Sequence, residues 1–78
     1  MMRGGAAITH WDRNFVGINL RVENVERVKN RLAVFGFLKI MPNVFKRDKN
    51  ICVFKEDNYV AVTMQKEDLV MIYRLLSK

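Results

Sequence analysis

Two hydrophobic patterns follow each other directly in the first half of the chain, and their succession limits the folds that it can adopt. Apolar residues alternate strictly over residues 15–22, which predicts a strand with one buried face. Over residues 25–35 they recur at spacings of three and four, which predicts a helix. Asn24 is the expected N-cap, and Gly36 is the expected left-handed stop. Phe37 can then fold back onto the last helical turn.

The rest of the chain predicts three more strands and a second helix. Residues 37–45 predict a strand with Leu38 and Ile40 on its buried side. Pro42 removes a backbone donor from it, which predicts an edge position or a bulge. The remaining predicted elements are a charged connection at 46–50, a hairpin with strands at 51–54 and 59–64, and a helix at 66–76.

These elements predict an α+β fold, a small two-layer domain of order β-α-β-β-β-α with two helices on one face of an antiparallel sheet. We expect residues 14–78 to form this single domain and residues 1–13 to be a flexible N-terminal arm. The strand residues predicted to face the helices are Val16, Ile18, Leu20, Leu38, Ile40, Ile51, Val53, Val60, Val62 and Met64. Those predicted on the opposite face are Phe15, Asn19, Arg21, Phe37, Lys39, Cys52, Phe54, Tyr59 and Thr63.

The composition favours a small cytoplasmic protein. A chain of 78 residues has room for one hydrophobic core, and its single cysteine excludes an internal disulfide. No Cys/His cluster has the spacing of a metal site, and neither a secretory signal nor a membrane-spanning run is recognisable. We therefore expect no metal, no cofactor and no membrane association.

Positive charge is concentrated in residues 25–50. Seven cations against two anions give this segment +5 of the total net charge of +6. A local field of this kind attracts an anionic partner, which is DNA, RNA or an acidic protein surface. An ordinary solvated surface is the alternative for the helical part of the segment. The predicted anion contacts are Arg27, Arg31, Lys39, Lys46, Arg47 and Lys49.

Two aromatic residues on the predicted uncovered face suggest a platform for single-stranded nucleic acid. Phe54 and Tyr59 would stack against bases while the cations neutralise the backbone. The alternative is that both rings pack across the hairpin.

The second predicted helix is apolar on more sides than a small sheet needs. Part of it is therefore expected to contact another chain, either a second copy in a homodimer or a different protein. The alternative is burial of this helix within the monomer. The predicted interface residues are Val70, Met71, Tyr73 and Leu75.

Catalysis finds little support in the sequence. His10 and Asp12 lie in the expected arm, and Cys52 lies in the middle of a predicted strand. No phosphate-binding glycine loop is present either. We expect a non-enzymatic protein without catalytic residues.

The first helix, Gly36-Phe37 and the basic, apolar strand that follows resemble a segment of ferredoxin-like modules, which include small nucleases. The resemblance covers about a quarter of the chain. The acidic residue that such nucleases use at the end of the first strand is absent at Val22, and three strands follow the helix consecutively. The resemblance therefore implies a local α+β segment and no nuclease activity.

Two hypotheses of function follow from these features. The first is a small nucleic-acid-binding or regulatory protein that acts through the basic segment at 27–49. The second is a protein-binding inhibitor or adaptor, of the type that viruses and mobile elements encode, that docks on an acidic surface of a host protein.

Overall fold

The computed structural model describes the backbone of residues 7–11 and the whole of residues 13–77. Two helices pack on one face of an antiparallel sheet, which confirms the predicted α+β fold. The described sheet has six strands in the order β1-β2-β6-β5-β4-β3. In chain order the elements are β1 (Ala7–Trp11), β2 (Phe15–Arg21), α1 (Val25–Val34), β3 (Leu38–Met41), β4 (Val44–Arg47), β5 (Asn50–Phe54), β6 (Tyr59–Gln65) and α2 (Leu69–Ser77).

Both ends of α1 are closed by the residues expected from the sequence. The Asn24 side chain accepts a hydrogen bond from the Arg27 amide at 3.1 Å, as an N-cap does. Gly36 has a φ of +96°, and the Phe37 amide donates to the Leu32 carbonyl at 2.9 Å. This pattern is a Schellman ending, and it turns the chain from α1 directly into β3.

The segment at 37–45 differs from the single strand that was predicted. Pro42 and Asn43 form a two-residue turn between β3 and β4, with Met41 opposite Val44. Proline favours the first position of such a turn because its φ is fixed and no amide is needed there. The predicted connection at 46–50 is largely strand as well, since Arg47 pairs with Asn50 around a second tight turn.

The sheet also extends into the predicted N-terminal arm. Residues 7–11 form β1, which pairs antiparallel with β2 through an irregularity between Ile8 and His10. Residues 1–6 and Asp12, which belong to the same predicted arm, lie outside the described residues.

The face of each strand follows from its pairing, because directly opposite residues in an antiparallel ladder point to the same side. On β2 and β6 the predicted residues face the helices, and all six are buried. On β5 the prediction was wrong: Cys52 and Phe54 lie in the core, opposite Val62 and Val60. Ile51 and Val53 therefore lie on the other side, called here the uncovered face.

Two further corrections concern the third predicted strand. Leu38 and Ile40 were expected under the helices but are 71% and 53% exposed. Leu38 lies opposite Lys46 on the uncovered face, whereas Lys39 lies opposite buried Phe45 on the helix face. Phe37, expected on the uncovered face, is 3% exposed and belongs to the core.

The start of α2 is held to the sheet by a buried polar side chain. Asn50 is 1% exposed, and its oxygen accepts from the Gln65 amide at 2.8 Å. Its amide nitrogen donates to the Asp68 carboxylate at 2.9 Å, immediately before α2 begins. Neither α1 nor α2 has the length and hydrophobicity needed to cross a bilayer.

Candidate functional site

The sheet divides the predicted basic segment between its two faces. Lys46 lies opposite Ile51 on the uncovered face, and Lys39 lies on the helix face. The Arg47 guanidinium sits 5.8 Å from the ring centroid of Phe35, at the end of α1, in cation–π geometry. Lys49 is exposed in the turn between β4 and β5. The charge that is continuous in sequence is therefore not one surface.

Two adjoining depressions between α1 and α2 share Arg31, Phe35 and Leu75 and are together called here the groove. The two remaining predicted anion contacts, Arg27 and Arg31, line it. Each helix, with the residues that flank it, contributes one face at spacings of three and four. The lining residues on the α1 side are Arg27, Asn30, Arg31, Val34 and Phe35, and those on the α2 side are Glu67, Val70, Met71, Arg74 and Leu75.

The groove exposes apolar side chains and is open to solvent. Val34 is 87% exposed, Val70 62% and Phe35 42%, although all three are large apolar side chains on helical surfaces. Met71 and Leu75 are half-buried and pack against the core below them. Exposed apolar surface that is continuous across two elements is typical of a binding site, whereas scattered apolar residues are not.

Arginines line the groove together with these apolar side chains. Three of them, Arg27, Arg31 and Arg74, line the groove with one acid, Glu67, so the lining carries a net charge of +2. The Arg31 guanidinium donates to the carbonyl oxygen of Leu75 at 3.5 Å, in the last turn of α2. A cation is favourable there because the helix dipole leaves partial negative charge on the terminal carbonyls. Arg31 thus joins the two walls.

The predicted interface residues of the second helix divide in the structure. Val70, Met71 and Leu75 line the groove. Tyr73 is 41% exposed but is not among the described residues that line it. Tyr73 therefore belongs to a different part of the surface of α2.

The stacking pair expected from the sequence is not a pair. Phe54 is only 6% exposed, so the prediction that it stacks on a base was wrong. The Phe54 ring packs edge-on against the Phe45 ring, with 5.7 Å between the ring centroids. The Lys29 ammonium lies 5.3 Å from the centroid of the Phe54 ring. Tyr59 does lie on the uncovered face, 37% exposed, with the Arg21 guanidinium 5.5 Å from its ring.

The residues considered for catalysis are not assembled into a site. Cys52 is fully buried, and desolvation raises the pKa of its thiol to about 12, which opposes formation of a nucleophilic thiolate. The side chain of His10 and the whole of Asp12 lie outside the described residues. Within residues 13–77, no three His, Cys, Asp or Glu side chains are grouped as metal ligands would be.

Five groove residues were missed as site residues from the sequence, namely Asn30, Val34, Phe35, Glu67 and Arg74. Val34 follows Arg27 by seven positions and Arg31 by three, which puts it on the same helical face. That spacing was the available signal. The meeting of α1 with α2 had no local signal, because the contact between the helices joins residues about 40 positions apart.

Comparison of the chain with protein-family models, with curated proteins and with solved structures gave no match. The class defined by the fold is that of a small α+β domain with an exposed groove between its two helices.

Proposed function

We propose that this chain acts by binding another protein, as a small inhibitor or adaptor, and that the groove between α1 and α2 is its docking surface. The observation that carries the proposal is the meeting of two features in one place. Exposed apolar side chains and three arginines line the same groove. They come from two helices that are about 40 residues apart in sequence. A surface of this chemistry suits a partner segment that carries both apolar and acidic side chains.

The partner segment that we propose is an amphipathic helix. Both walls of the groove are helical faces, and a third helix can lay an apolar stripe between them, as in other helix-in-groove complexes. Its apolar residues would cover Val34, Phe35 and Val70, and its flanking acids would meet the arginines. Arginine is well suited to this role because its planar guanidinium binds a carboxylate through two hydrogen bonds.

The exposed apolar surface sets the strength of such a complex. Complete burial of a valine or phenylalanine side chain contributes about 1.5–3 kcal/mol. Scaled by their exposed fractions, Val34, Phe35 and Val70 together contribute about 3–6 kcal/mol. Association itself costs about 4 kcal/mol or more in lost freedom. At most about 2 kcal/mol then remains, well short of the roughly 8 kcal/mol of a micromolar complex. We therefore expect a micromolar partner to need further contacts, such as ion pairs with the arginines.

Two other occupants fit the groove less well. A second copy would place one groove of net charge +2 against another, and the two would repel each other. A nucleic acid strand would meet exposed apolar side chains between the arginines rather than a continuous row of cations. Phe54 is buried and offers it no stacking surface. The experiment described next distinguishes both of these occupants from a partner helix.

The test is a selection of displayed helical peptides on the immobilised protein, followed by fluorescence anisotropy of the selected peptides in solution. We expect a consensus of apolar residues at helical spacing flanked by Asp or Glu. Val34→Asp should weaken binding of the selected peptides at least about tenfold, because it places a carboxylate among the apolar side chains of the groove. Ala33→Asp is the matched control, since Ala33 is the exposed neighbour on the same helical turn and does not line the groove.

Other results would replace the proposal. A selection without a consensus, a basic consensus, or peptides that bind Val34→Asp as well as the wild type would refute the groove as the docking surface. Single-stranded and duplex oligonucleotides are titrated in the same assay, and tighter binding with a salt slope of about −3 or steeper would favour nucleic acid. Light scattering that shows a dimer abolished by Val34→Asp would make a second copy the occupant.

A further inference from the structure

The strand β3 leaves one edge of the sheet exposed. It is the last strand in the sheet order and pairs on one side only, with β4, among the described strands. All four of its residues are exposed, including Leu38 at 71% and Met41 at 60%. An edge strand presents unpaired amide and carbonyl groups that can accept a further strand.

The uncovered face beside this edge is apolar. Leu38 and Met41 are on that face because they lie opposite Lys46 and Val44. The next residues inward on this face are half-buried Val44 and exposed Lys46 on β4, and behind them lie half-buried Val53 and Ile51 on β5. An added strand would therefore extend an apolar surface as well as a ladder of hydrogen bonds.

Lys39 determines which kind of strand the edge can accept. It points to the helix face, alternating with Leu38 on the uncovered face. If two copies of β3 paired antiparallel in the register centred on Lys39, this lysine of one copy would lie opposite the same lysine of the other. Like charges directly opposite each other destabilise a strand pair, and an inward-pointing lysine is a common protection of edges against self-pairing.

Further cations surround the same edge. A shallow depression beside β3 is lined by Leu38 and Ile40 together with Lys46, Arg47 and the acid Asp48. Lys46 lies on the uncovered face, and Arg47 lies on the helix face beside α1. The edge is therefore apolar on one face and flanked by positive charge on both.

We propose that β3 receives an extended segment of a partner protein as a seventh strand, with an acidic residue opposite Lys39 and an apolar residue opposite Leu38. The sequence of such a segment alternates apolar and acidic residues. This site lies on the sheet edge, apart from the groove between the helices, and shares with the proposed function only the protein nature of the partner. A partner that engages both sites gains the affinity that the groove alone lacks.

The probe is a synthetic peptide of about seven residues, the usual length of a strand, that alternates valine and glutamate. Binding is followed through amide resonances of the folded protein and through hydrogen exchange. We expect perturbed resonances and slowed exchange in β3, with the changes centred on Leu38–Met41. A peptide with proline at alternate positions should not bind, because it lacks the amides that the ladder requires.

Charge exchange makes the test specific. Lys39→Glu should weaken the glutamate peptide about tenfold and favour a peptide in which lysine replaces glutamate. Lys55→Glu is the matched control, since Lys55 is an exposed lysine in the turn before β6. Val34→Asp should leave this binding unchanged, which separates the outcome from that of the groove.

Several results would overturn the proposal. They are resonance changes confined to the groove, equal binding of the proline peptide, and equal binding of the glutamate peptide by wild type and Lys39→Glu. If oligonucleotides perturb β3 and the peptide does not, the edge serves nucleic acid. If dilution alone changes the β3 resonances of the free protein, the occupant is a second copy.

Discussion

Replacement of Asn50 by aspartate is expected to make the stability of the protein strongly dependent on pH. Asn50 is buried and joins β6 to the residue before α2 through two hydrogen bonds. The substitution retains the acceptor for the Gln65 amide but replaces the donor to Asp68 by a second carboxylate. A hydrogen bond becomes a contact between like charges.

The structure allows the size of the effect to be worked out. Loss of a hydrogen bond to a charged group costs about 1.5–3 kcal/mol. Repulsion between the two carboxylates adds about 1–4 kcal/mol, the range between water and a partly buried site at a separation of about 4 Å. We therefore expect Asn50→Asp to lower the free energy of unfolding by about 2.5–7 kcal/mol at pH 7. A domain of 78 residues has a total of about 4–12 kcal/mol, so the variant is close to unfolding.

The deficit should decrease in acid. Burial and the neighbouring carboxylate both raise the pKa of the introduced carboxyl above its unfolded value of about 3.9. The folded state then holds the proton more tightly than the unfolded state does. The penalty is therefore absent below the unfolded pKa and grows as the pH rises through the raised folded pKa.

The assay is urea unfolding followed by circular dichroism at pH 7 and pH 4, with the wild type measured at each pH as the reference. Asn50→Ala is the matched control, because it loses about 2–4 kcal/mol without introducing a titratable group. A deficit for Asn50→Asp below about 1 kcal/mol at pH 7 would refute the assigned hydrogen bonds. So would a deficit that does not shrink at pH 4 relative to that of Asn50→Ala.

Three other substitutions and one modification test the fold. Gly36→Ala should cost about 1–2 kcal/mol in urea unfolding through its positive φ alone, since the added Cβ would meet Arg47 at an ordinary 3.7 Å; an unchanged stability would contradict the left-handed ending of α1. Cys52, with its pKa raised to about 12, should react with an aromatic disulfide at pH 8 only as fast as the protein unfolds, and rapid labelling of the folded protein would contradict its burial. Phe54→Ala should cost about 3–5 kcal/mol, whereas Tyr59→Ala should cost about 1 kcal/mol or less, and similar losses for both would contradict the assignment of their faces.

Local features of the chain were predictable because their causes are local. The bounds of α1 depend on an N-cap oxygen, a left-handed glycine and a periodicity that all lie within 13 residues, Asn24–Gly36. The strict alternation on β2 likewise left one choice for its buried face. Each of these features depends only on residues that are close in sequence, so each can be predicted from the sequence.

The face of β5 was not predictable from the same kind of pattern. Ile51, Cys52, Val53 and Phe54 are all apolar, so alternation carries no information about which pair is buried. The choice is made by pairing with β6, where Phe54 lies opposite Val60. Two left-handed residues in the intervening turn, Asp57 at φ +60° and Asn58 at φ +64°, accompany this register.

The groove shows the same distinction at the level of the site. The sequence identified both ingredients, the cations Arg27 and Arg31 and the apolar residues Val70, Met71 and Leu75. The sequence did not predict that these residues share one surface, because α1 packs against α2 through a tertiary contact between residues about 40 positions apart. The charges of β4 are separated for the opposite reason: Lys46 and Arg47 are adjacent in sequence, but strand geometry sends them to opposite faces.

The strand order has a consequence for how this chain reaches its folded state. Strands β3 to β6 follow one another along the chain, joined in two places by two-residue turns, and each such hairpin forms in about 1–10 µs. The ladder between β2 and β6 is different, because even its nearest pair, Arg21 and Tyr59, closes a loop of 38 residues. Closing such a loop costs about 3 kcal/mol in chain entropy before any contact offsets it. We expect this closure to be the rate-limiting step of folding. Conservative core substitutions on β4, whose hairpins form before the closure, should then slow refolding, whereas substitutions at contacts that form after the closure should mainly speed unfolding.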